Sequence, residues 1–363
     1  MILDILLVTG ESDKMRKKIL ILGASGMLGI EVLREALKLN NFKIYATIRK
    51  KNDIQIIKKN FKTKINKITF NKFQINSNYA KNLKNLVNNK DIVINCIGVI
   101  KPYINENSFK SKLNAININS VFPHMLNSLV NKRTKIFQIA TDCVFDGKDG
   151  DYNENFSHNA KDIYGKSKSL GEVKSKNFFN IRCSIIGLEI KNYKSLLSWF
   201  LNQKHKSNIK GFSNHLWNGI TTSQFAKIVF IIIKKKIIIP NTIHIIPKRK
   251  INKNQFLKIF QKKFNRYDLN IRDFKSIRFM RMFMKGFNQP VILRFARLDL
   301  VRGEWRQYTE SLLSPGDYIG NDDEVTINEI AFLIKKTLKS NSKFIYNKLP
   351  EDDPIKRRPD ISL

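Results

Sequence analysis

KKILILGASGMLG, residues 17–29, joins a short apolar run to a glycine-rich turn. The run Ile19–Leu22 predicts a buried β-strand, and the apolar spacing over Met27–Leu39 predicts a helix. Glycines between a strand and a helix let the backbone turn tightly and approach a pyrophosphate, which the free N–H groups of the helix N-terminus then bind. The sequence therefore predicts a dinucleotide-binding turn made of Gly23, Ser25, Gly26, Met27, Leu28 and Gly29.

The chain beyond this turn alternates between strand-like and helical patterns. Further strands are predicted at Lys43–Ile48, Asn66–Phe70, Ile92–Ile97, Lys135–Ala140 and Asn180–Ser184, and further helices at Tyr79–Val87, Ser111–Leu129 and Ile163–Val173. Such alternation predicts an α/β fold, a Rossmann-type doubly wound parallel sheet with helices on both faces. The alternation becomes irregular beyond Ile190, which indicates a smaller C-terminal substrate lobe.

The residues that follow the second strand favour NADP as the cofactor. An acidic residue here would bind the ribose 2′-hydroxyl of NAD, whereas a basic residue favours the 2′-phosphate of NADP. The strand is followed by Arg49 and Lys50, and the first acid is Asp53. NADP (NADPH) is therefore predicted, with NAD as the alternative. A small residue after the fourth strand would let the nicotinamide ribose pass close to the backbone, so the predicted cofactor site also includes Cys96, Ile97 and Gly98.

Three side chains carry the predicted chemistry. Tyr164 and Lys168 are four residues apart, on one face of a predicted helix. A phenol has a pKa of about 10, and a nearby ammonium group favours its phenolate form. Thr141 follows the fifth strand, at the edge where open α/β sheets bind their ligands. We expect Tyr164 to give a proton to a carbonyl oxygen as hydride reaches its carbon, Thr141 to bind that oxygen, and Lys168 to contact the nicotinamide ribose as well.

The segments GASGMLG, NCIG, ATDCVFDGKDGDYNE, DIYGKSKSLGE and NIRCSIIG occur in this order. They resemble those of the extended short-chain dehydrogenase/reductases, and more narrowly those of the dTDP-4-dehydrorhamnose reductase family. The resemblance extends from Met15 to about Phe260. It implies reduction of a 4-keto-sugar on a nucleoside diphosphate by NADPH, in deoxysugar and polysaccharide biosynthesis, with Thr141, Tyr164 and Lys168 as the catalytic residues.

Further residues are candidates for contacts with the substrate. Asn119 matches an asparagine that helps to shape the active site in this family. Trp217 is predicted either to stack on a base or sugar or to pack in the core, and Thr222 either to contact substrate or to cap a helix. The substrate-contacting set that we predict is Asn119, Asp142, Trp217, Thr222 and Arg357.

Two features bear on the reaction in opposite directions. Related dehydratases and decarboxylases typically have a Glu where this chain has Cys143, and a thiol replaces a carboxylate base poorly, which favours a reductase. Residues 325–363, however, resemble the C-terminal region of UDP-glucuronate decarboxylases, in which an arginine matching Arg357 approaches the nucleotide phosphates. A decarboxylase-like enzyme and a non-catalytic NADP-binding regulatory subunit therefore stay open as alternatives.

The domain organisation follows from these patterns. We expect Met1–Lys14 to be an extension outside the fold, 15–186 to be the NADP-binding Rossmann domain and 187–363 to be the substrate-binding lobe. Residues 276–320 form an atypical segment, because arginines outnumber lysines there while lysine dominates elsewhere.

The composition limits the classes of partner. The net charge is +36, but the lysines are scattered, whereas a nucleic-acid footprint clusters on one face. We therefore expect no nucleic acid as a partner, and we expect a positive field that helps to attract a doubly phosphorylated substrate or cofactor.

No apolar run is long enough to cross a membrane, and the Cys and His spacing fits neither disulfides nor a metal site. The expected partner is a nucleotide-diphosphate keto-sugar, the expected compartment the cytoplasm, and a homodimer is one alternative for the oligomeric state.

Overall fold

A computed structural model of the chain describes residues 16–61, 65–189, 193–247, 250–276, 280–282 and 284. The predicted extension Met1–Lys14, most of the atypical segment 276–320, and Arg357 lie outside these residues. No helix in the described part of the chain has both the length and the apolar character that crossing a bilayer requires.

A seven-stranded parallel sheet forms the centre of the fold, in the order β11-β6-β5-β4-β1-β2-β3. Its strands are β1 (Lys17–Leu22), β2 (Phe42–Ile48), β3 (Ile68–Lys72), β4 (Ile92–Asn95), β5 (Lys135–Ala140), β6 (Phe178–Arg182) and β11 (Thr242–His244). The strand order reverses between β1 and β4, which is where doubly wound sheets open a ligand crevice at the carboxyl ends of their strands. The predicted Rossmann-type fold is confirmed.

Both faces of the sheet are covered because its strands alternate their side chains between two cores. Ile19 and Ile21 belong to one buried cluster, whereas Leu20 and Leu22 belong to another on the opposite face. The helices are α1 (Met27–Ala36), α2 (Asn52–Phe61), α3 (Tyr79–Val87), α4 (Phe109–Ile116), α5 (Phe122–Leu129), α6 (Ile163–Leu170), α7 (Leu196–Leu201), α8 (Thr222–Lys235) and α9 (Lys253–Lys263). A π-helical turn, Asn117–Val121, joins α4 to α5, so the long helix predicted here is continuous.

Shorter strands build the later part of the chain. They are β7 (Ile185–Ile186) with β10 (Ile220–Thr221), β8 (Asn208–Phe212) with β13 (Asn270–Phe274), and β9 (His215–Trp217) between β12 (Ile251–Asn252) and β14 (Met280–Met282). Buried side chains of α7, β8 and α9 form a small core of their own, which includes Phe200, Ile209 and Phe260.

Two later elements return to the main sheet. β11 is its edge strand beside β6, and α8 packs against α1 with Phe225 and Val229 in the sheet core. The predicted division after residue 186 stays a prediction, since the residues beyond it contribute both to the sheet and to the small core. The atypical segment begins within the fold, because β14 pairs with β9 and the Met284 backbone bonds to the Asn218 side chain.

Candidate active site

The glycine turn is held in place by the neighbouring strand. The Gly23 N–H donates to Thr47 Oγ1 at 2.9 Å, and the Ala24 N–H donates to the Thr47 carbonyl at 3.0 Å. Gly23 has a φ of +78°, a conformation that side chains disfavour. A Cβ on Gly29 would lie 2.1 Å from the Gly23 carbonyl oxygen. Glycine at these positions therefore lets α1 start directly against the turn.

This turn fits the diphosphate of a dinucleotide. Gly26 is the N-cap residue of α1, and it has no side chain that could cap the helix. The N–H groups at the start of α1 are therefore left without a side-chain cap, and they carry the positive end of the helix dipole. At the end of β4, a Cβ on Gly98 would lie 3.9 Å from Lys168 Nζ, so bare backbone borders the ammonium group there.

The first acid after β2 lies against the glycine turn. Asp53 is buried, and its Oδ2 accepts hydrogen bonds from Ser25 Oγ at 3.1 Å and from the N–H groups of Arg49 and Lys50 at 3.3 Å. The carboxylate thus connects the turn after β1 to the loop after β2, while the side chains of Arg49 and Lys50 are exposed. Ser25, predicted to contact the cofactor, directs its hydroxyl to Asp53.

The structure brings the three predicted catalytic residues to the carboxyl end of β5. Thr141 directly follows β5, and its side chain lies close enough to influence the pKa of Tyr164, which lies in the first turn of α6. Lys168 lies one turn further along α6, and its Nζ donates to the carbonyl oxygen of Ile139 in β5 at 2.7 Å. Thr141 and Lys168 are both buried.

The start of α6 is fixed by its cap and by close packing. Asp162 caps the helix by accepting a 2.8 Å hydrogen bond from the Gly165 N–H, and it forms a 2.7 Å ion pair with Lys101. A Cβ on Gly165 would lie 2.2 Å from the Cys143 carbonyl oxygen. The glycine in the YGKSK segment therefore lets α6, and with it Tyr164, approach the turn after β5.

Burial dominates the protonation of the pair on α6. It lowers the pKa of Lys168 to about 8. It also raises the pKa of Tyr164, although the nearby Thr141 hydroxyl lowers it. The net shift is therefore opposite to the expected phenolate, because burial outweighs the groups that favour the ionised form, and the ammonium group of Lys168 is directed to the Ile139 carbonyl. Tyr164 is held as the phenol, which is the form that can donate a proton.

Asn119 lies in the π-helical turn, and its amide is occupied by protein partners. Its Oδ1 accepts from the Val99 N–H and its Nδ2 donates to the Val99 carbonyl, both at 2.9 Å, while Nδ2 also donates to Ser167 Oγ at 3.1 Å. These bonds join the loop after β4 to α6. Asn119 therefore positions the walls of the site, and its contact with a substrate stays a prediction. A Cβ on Gly171 would lie 1.8 Å from the Asn119 carbonyl oxygen.

The other predicted substrate residues are placed as follows. Trp217 packs on Phe256 with ring centroids 4.7 Å apart, in agreement with the packing alternative. Thr222 is buried against Gly187, while its neighbour Thr221 forms the capping box of α8. Asp142 is buried beside Thr141.

Sequence reasoning missed several residues that border this site. Asp53 entered the prediction only as the first acid after Arg49 and Lys50. Acidic residues favour the first turn of a helix, where Asp53 lies in α2, so it could have indicated a helix start. Ser184 lies close enough to Asp142 to lower the pKa of that carboxyl group, and Cys183 lies close enough to Asp142 and Lys168 for their charges to affect its pKa. The only signal for these two was their position at the end of the predicted strand Asn180–Ser184.

Comparisons with known proteins agree with this arrangement. The family described as RmlD substrate binding domain matches residues 16–281, and a family described as motility related/secretion protein matches residues 257–341. Comparison with curated protein sequences gave no match.

Solved structures with a similar fold include two reductases and an epimerase. A dTDP-4-dehydrorhamnose reductase from Clostridium acetobutylicum is 21% identical, with a TM-score of 0.55 over 73% of this chain and 86% of that one. The Bacillus anthracis dTDP-4-dehydrorhamnose reductase, in complex with NADP, is 18% identical, with a TM-score of 0.57 over 78% and 93%. A UDP-glucuronic acid 4-epimerase from Bacillus cereus, in complex with NAD, is 18% identical, with a TM-score of 0.56 over 70% and 86%. At these identities the likeness shows the shared fold.

Proposed function

Since the chain belongs to the family of the RmlD substrate binding domain, we propose that it is an NADPH-dependent reductase of a nucleotide-linked 4-keto-sugar. One observation carries the proposal: Thr141 at the carboxyl end of β5 lies close to Tyr164 on α6, and Lys168 on the same helix donates to the Ile139 carbonyl of β5. The glycine turn that fits a dinucleotide lies at the carboxyl end of β1 in the same parallel sheet.

The cofactor site is formed by backbone and by basic side chains. The turn from Gly23 to Gly29 and the start of α1 would hold the pyrophosphate. The exposed side chains of Arg49 and Lys50 would pair with a 2′-phosphate, and the bare backbone of Gly98 leaves room for the ribose beside Lys168. When bound, NADPH supplies the hydride.

The chain's own residues manage the proton. Tyr164 donates its phenolic proton to the substrate's carbonyl oxygen as that oxygen gains negative charge. Thr141, whose hydroxyl lies close to Tyr164, donates a hydrogen bond to the same oxygen. Lys168 lies one turn from Tyr164 on α6 and is held by the Ile139 carbonyl, and we expect its ammonium charge to favour the loss of the phenolic proton during the reaction.

Cys143 supports reduction rather than an elimination or decarboxylation that needs a second base. It occupies the position where related dehydratases typically have a glutamate, and burial raises the pKa of its thiol well above the ordinary value. At neutral pH the thiol is therefore protonated and does not abstract protons from a sugar.

The finer features of this function are proposals of the same kind. We place the reaction in deoxysugar supply in the cytoplasm, with a dTDP- or UDP-linked sugar as substrate.

A homodimer is proposed from the exposed apolar stripe of Phe109, Leu113 and Ile116, which have helical spacing on α4. Analytical ultracentrifugation that gives the mass of a single chain would contradict the dimer.

The reaction is tested with purified protein, NADPH and dTDP-4-dehydrorhamnose, by following the loss of absorbance at the reduced-cofactor band. We expect turnover that depends on the sugar nucleotide, with NADPH preferred over NADH. Keto-sugars linked to UDP, and NADPH without sugar, serve as comparisons. Absence of turnover with every keto-sugar nucleotide, while NADPH still binds, would reject a reductase in favour of a regulatory subunit. Release of carbon dioxide from UDP-glucuronate would instead establish a decarboxylase.

A further inference from the structure

The side chain of Asp142 is enclosed by hydrogen-bond donors from the protein. The residue is 2% exposed, and its Oδ1 lies 3.1 Å from Thr141 Oγ1 and 3.5 Å from Cys143 Sγ. The hydroxyl of Ser184, just after β6, lies close enough to lower the pKa of this carboxyl group. Oδ1 of Asp142 is therefore directed to protein donors, although the sequence predicted a substrate contact.

The hydroxyl of Thr141 has only one proton to donate. Its Oγ1 already accepts a 3.2 Å hydrogen bond from the Cys143 N–H. Its proton is directed to Asp142 Oδ1, while the Tyr164 phenol lies close enough for the hydroxyl to influence its pKa. An ionised carboxylate can only accept, so it takes the proton of Thr141. A protonated carboxyl group can donate, and it then leaves the proton of Thr141 free to point at another oxygen.

These observations lead to a role for Asp142 in the proposed reduction, and the inference rests on that proposed function. We propose that Asp142 is a positioning residue, whose charge state sets whether Thr141 can donate a hydrogen bond to the substrate's carbonyl oxygen. With a neutral Asp142, the proton of Thr141 stabilises the negative charge that develops on that oxygen. With an ionised Asp142, Thr141 serves as an acceptor only, and the reaction slows.

The neutral form of Asp142 is accessible because the group is buried. Burial raises the pKa of this carboxyl, while the hydrogen bonds from Thr141, Cys143 and Ser184 lower it. The titratable groups that face it are Cys143 on its own turn, Cys183 after β6, and Tyr164 on α6, with Lys168 lying close to Cys183. Burial also raises the pKa of both thiols, which keeps these two neighbours neutral at neutral pH.

The experiment measures kcat for NADPH oxidation across the range from about pH 5 to about pH 9.5 in the wild type and in Asp142→Asn. The amide does not titrate, and its N–H₂ can donate to Thr141 as a neutral carboxyl would. We expect kcat of the wild type to fall as Asp142 ionises, and this fall to be absent in Asp142→Asn. The separate fall caused by Lys168 near pH 8 should persist in both.

Three further variants separate this role from a merely structural one. Asp149→Asn changes an exposed carboxylate of the same loop and should keep the wild-type profile. Ser184→Ala removes a donor that favours the ionised form, so the fall should move to higher pH. In a Thr141→Val background, which should lower kcat by about 10²-fold or more, the change of Asp142 to Asn should no longer alter the profile.

The outcomes distinguish this inference from the function on which it depends. NADPH binding by each variant reports folding, and if Asp142→Asn fails to fold, the shift in Ser184→Ala decides the matter. A wild-type profile in Asp142→Asn, or in Ser184→Ala when only that variant folds, would overturn the positioning role and leave the reductase intact. Absence of turnover by the wild-type protein, with NADPH still bound, would overturn both.

Discussion

Lys168 sets the alkaline limit of the proposed reaction. Its ammonium group is buried and directed to the Ile139 carbonyl, and burial lowers its pKa to about 8. The group is therefore protonated below this pH and loses its proton above it, much earlier than an exposed lysine with a pKa of about 10.4. Because the charge of Lys168 helps Tyr164 to release its proton, the reaction should depend on this titration.

We accordingly predict that kcat falls as the pH rises through about 8. Lys168→Arg keeps a positive charge at all these pH values, so its activity, at a lower plateau, should not show that fall. Lys166→Arg, at an exposed position of the same helix, is the matched control and should keep the wild-type profile. A pH–rate profile of Lys168→Arg that still falls near pH 8 would show that another group titrates there.

Spacing and strand ends pointed to Thr141, Tyr164 and Lys168 as candidates, since these features are local in the sequence. The partners of Asn119 and Asp53 were not predictable in this way. Asn119 bonds to Val99 and Ser167, which are brought together only when the π-helical turn packs against α6. The direction of the pKa shift of Tyr164 likewise depends on burial, which the local spacing does not contain.

The unit of β1, glycine turn and α1 shows how close packing of backbone defines the cofactor site. Gly29 and Gly26 are both in the motif, but they meet different surroundings. A Cβ on Gly29 would lie 2.1 Å from one backbone oxygen and 2.8 Å from the Ala24 Cα, whereas a Cβ on Gly26 would lie 3.3 Å from the Gly23 carbonyl oxygen. Only a Cβ on Gly29 would force the turn and α1 apart.

Gly29→Ala should therefore weaken NADPH binding by about tenfold or more, corresponding to about 1.4 kcal/mol. Gly26→Ala should leave the free protein's fold less disturbed, because its neighbour needs to shift by only a few tenths of an ångström, and any loss of NADPH affinity there should come from the methyl group facing the pyrophosphate. Isothermal titration calorimetry with both variants measures the difference. Wild-type affinity of Gly29→Ala for NADPH would mean that the tight contact at Gly29 does not shape the site.

Most elements were predictable from periodicity because buried parallel strands are continuous apolar runs. β5 and α3 have the predicted bounds, and other strands and helices differ by a few residues at their ends. The prediction missed α2, in which Ile54, Ile57 and Phe61 have helical spacing among lysines and asparagines. It also did not place β11 in the sheet, since a three-residue strand carries little periodicity and joins β6 only through the fold.

At the scale of the whole molecule, the net charge of +36 is the dominant feature of the composition. A positive field raises the rate at which anionic ligands reach a site, and salt screens it, with a Debye length of about 10 Å at 0.1 M and about 3 Å at 1 M. Both the proposed cofactor and the proposed substrate carry a diphosphate, so their capture should depend on ionic strength.

We predict that kcat/KM for the sugar nucleotide falls by about tenfold when NaCl is raised from about 0.05 M to about 0.5 M. The hydride and proton transfers take place between bound groups, so kcat should change little. Steady-state kinetics at several salt concentrations separates the two constants. If kcat/KM is independent of salt, the excess of lysine reflects composition and does not attract ligands.

The account depends most on the phenolic proton of Tyr164, and the most direct test is turnover of a nucleotide-linked 4-keto-sugar by Tyr164→Phe. The variant lacks the acid but keeps the ring, so kcat should drop by about 10²- to 10⁴-fold while the Kd for NADPH stays within about twofold. Tyr267→Phe, at a tyrosine that is 66% exposed, should turn over like the wild type. Wild-type turnover by Tyr164→Phe would contradict the assignment of Tyr164 as the proton donor and, with it, the proposed mechanism.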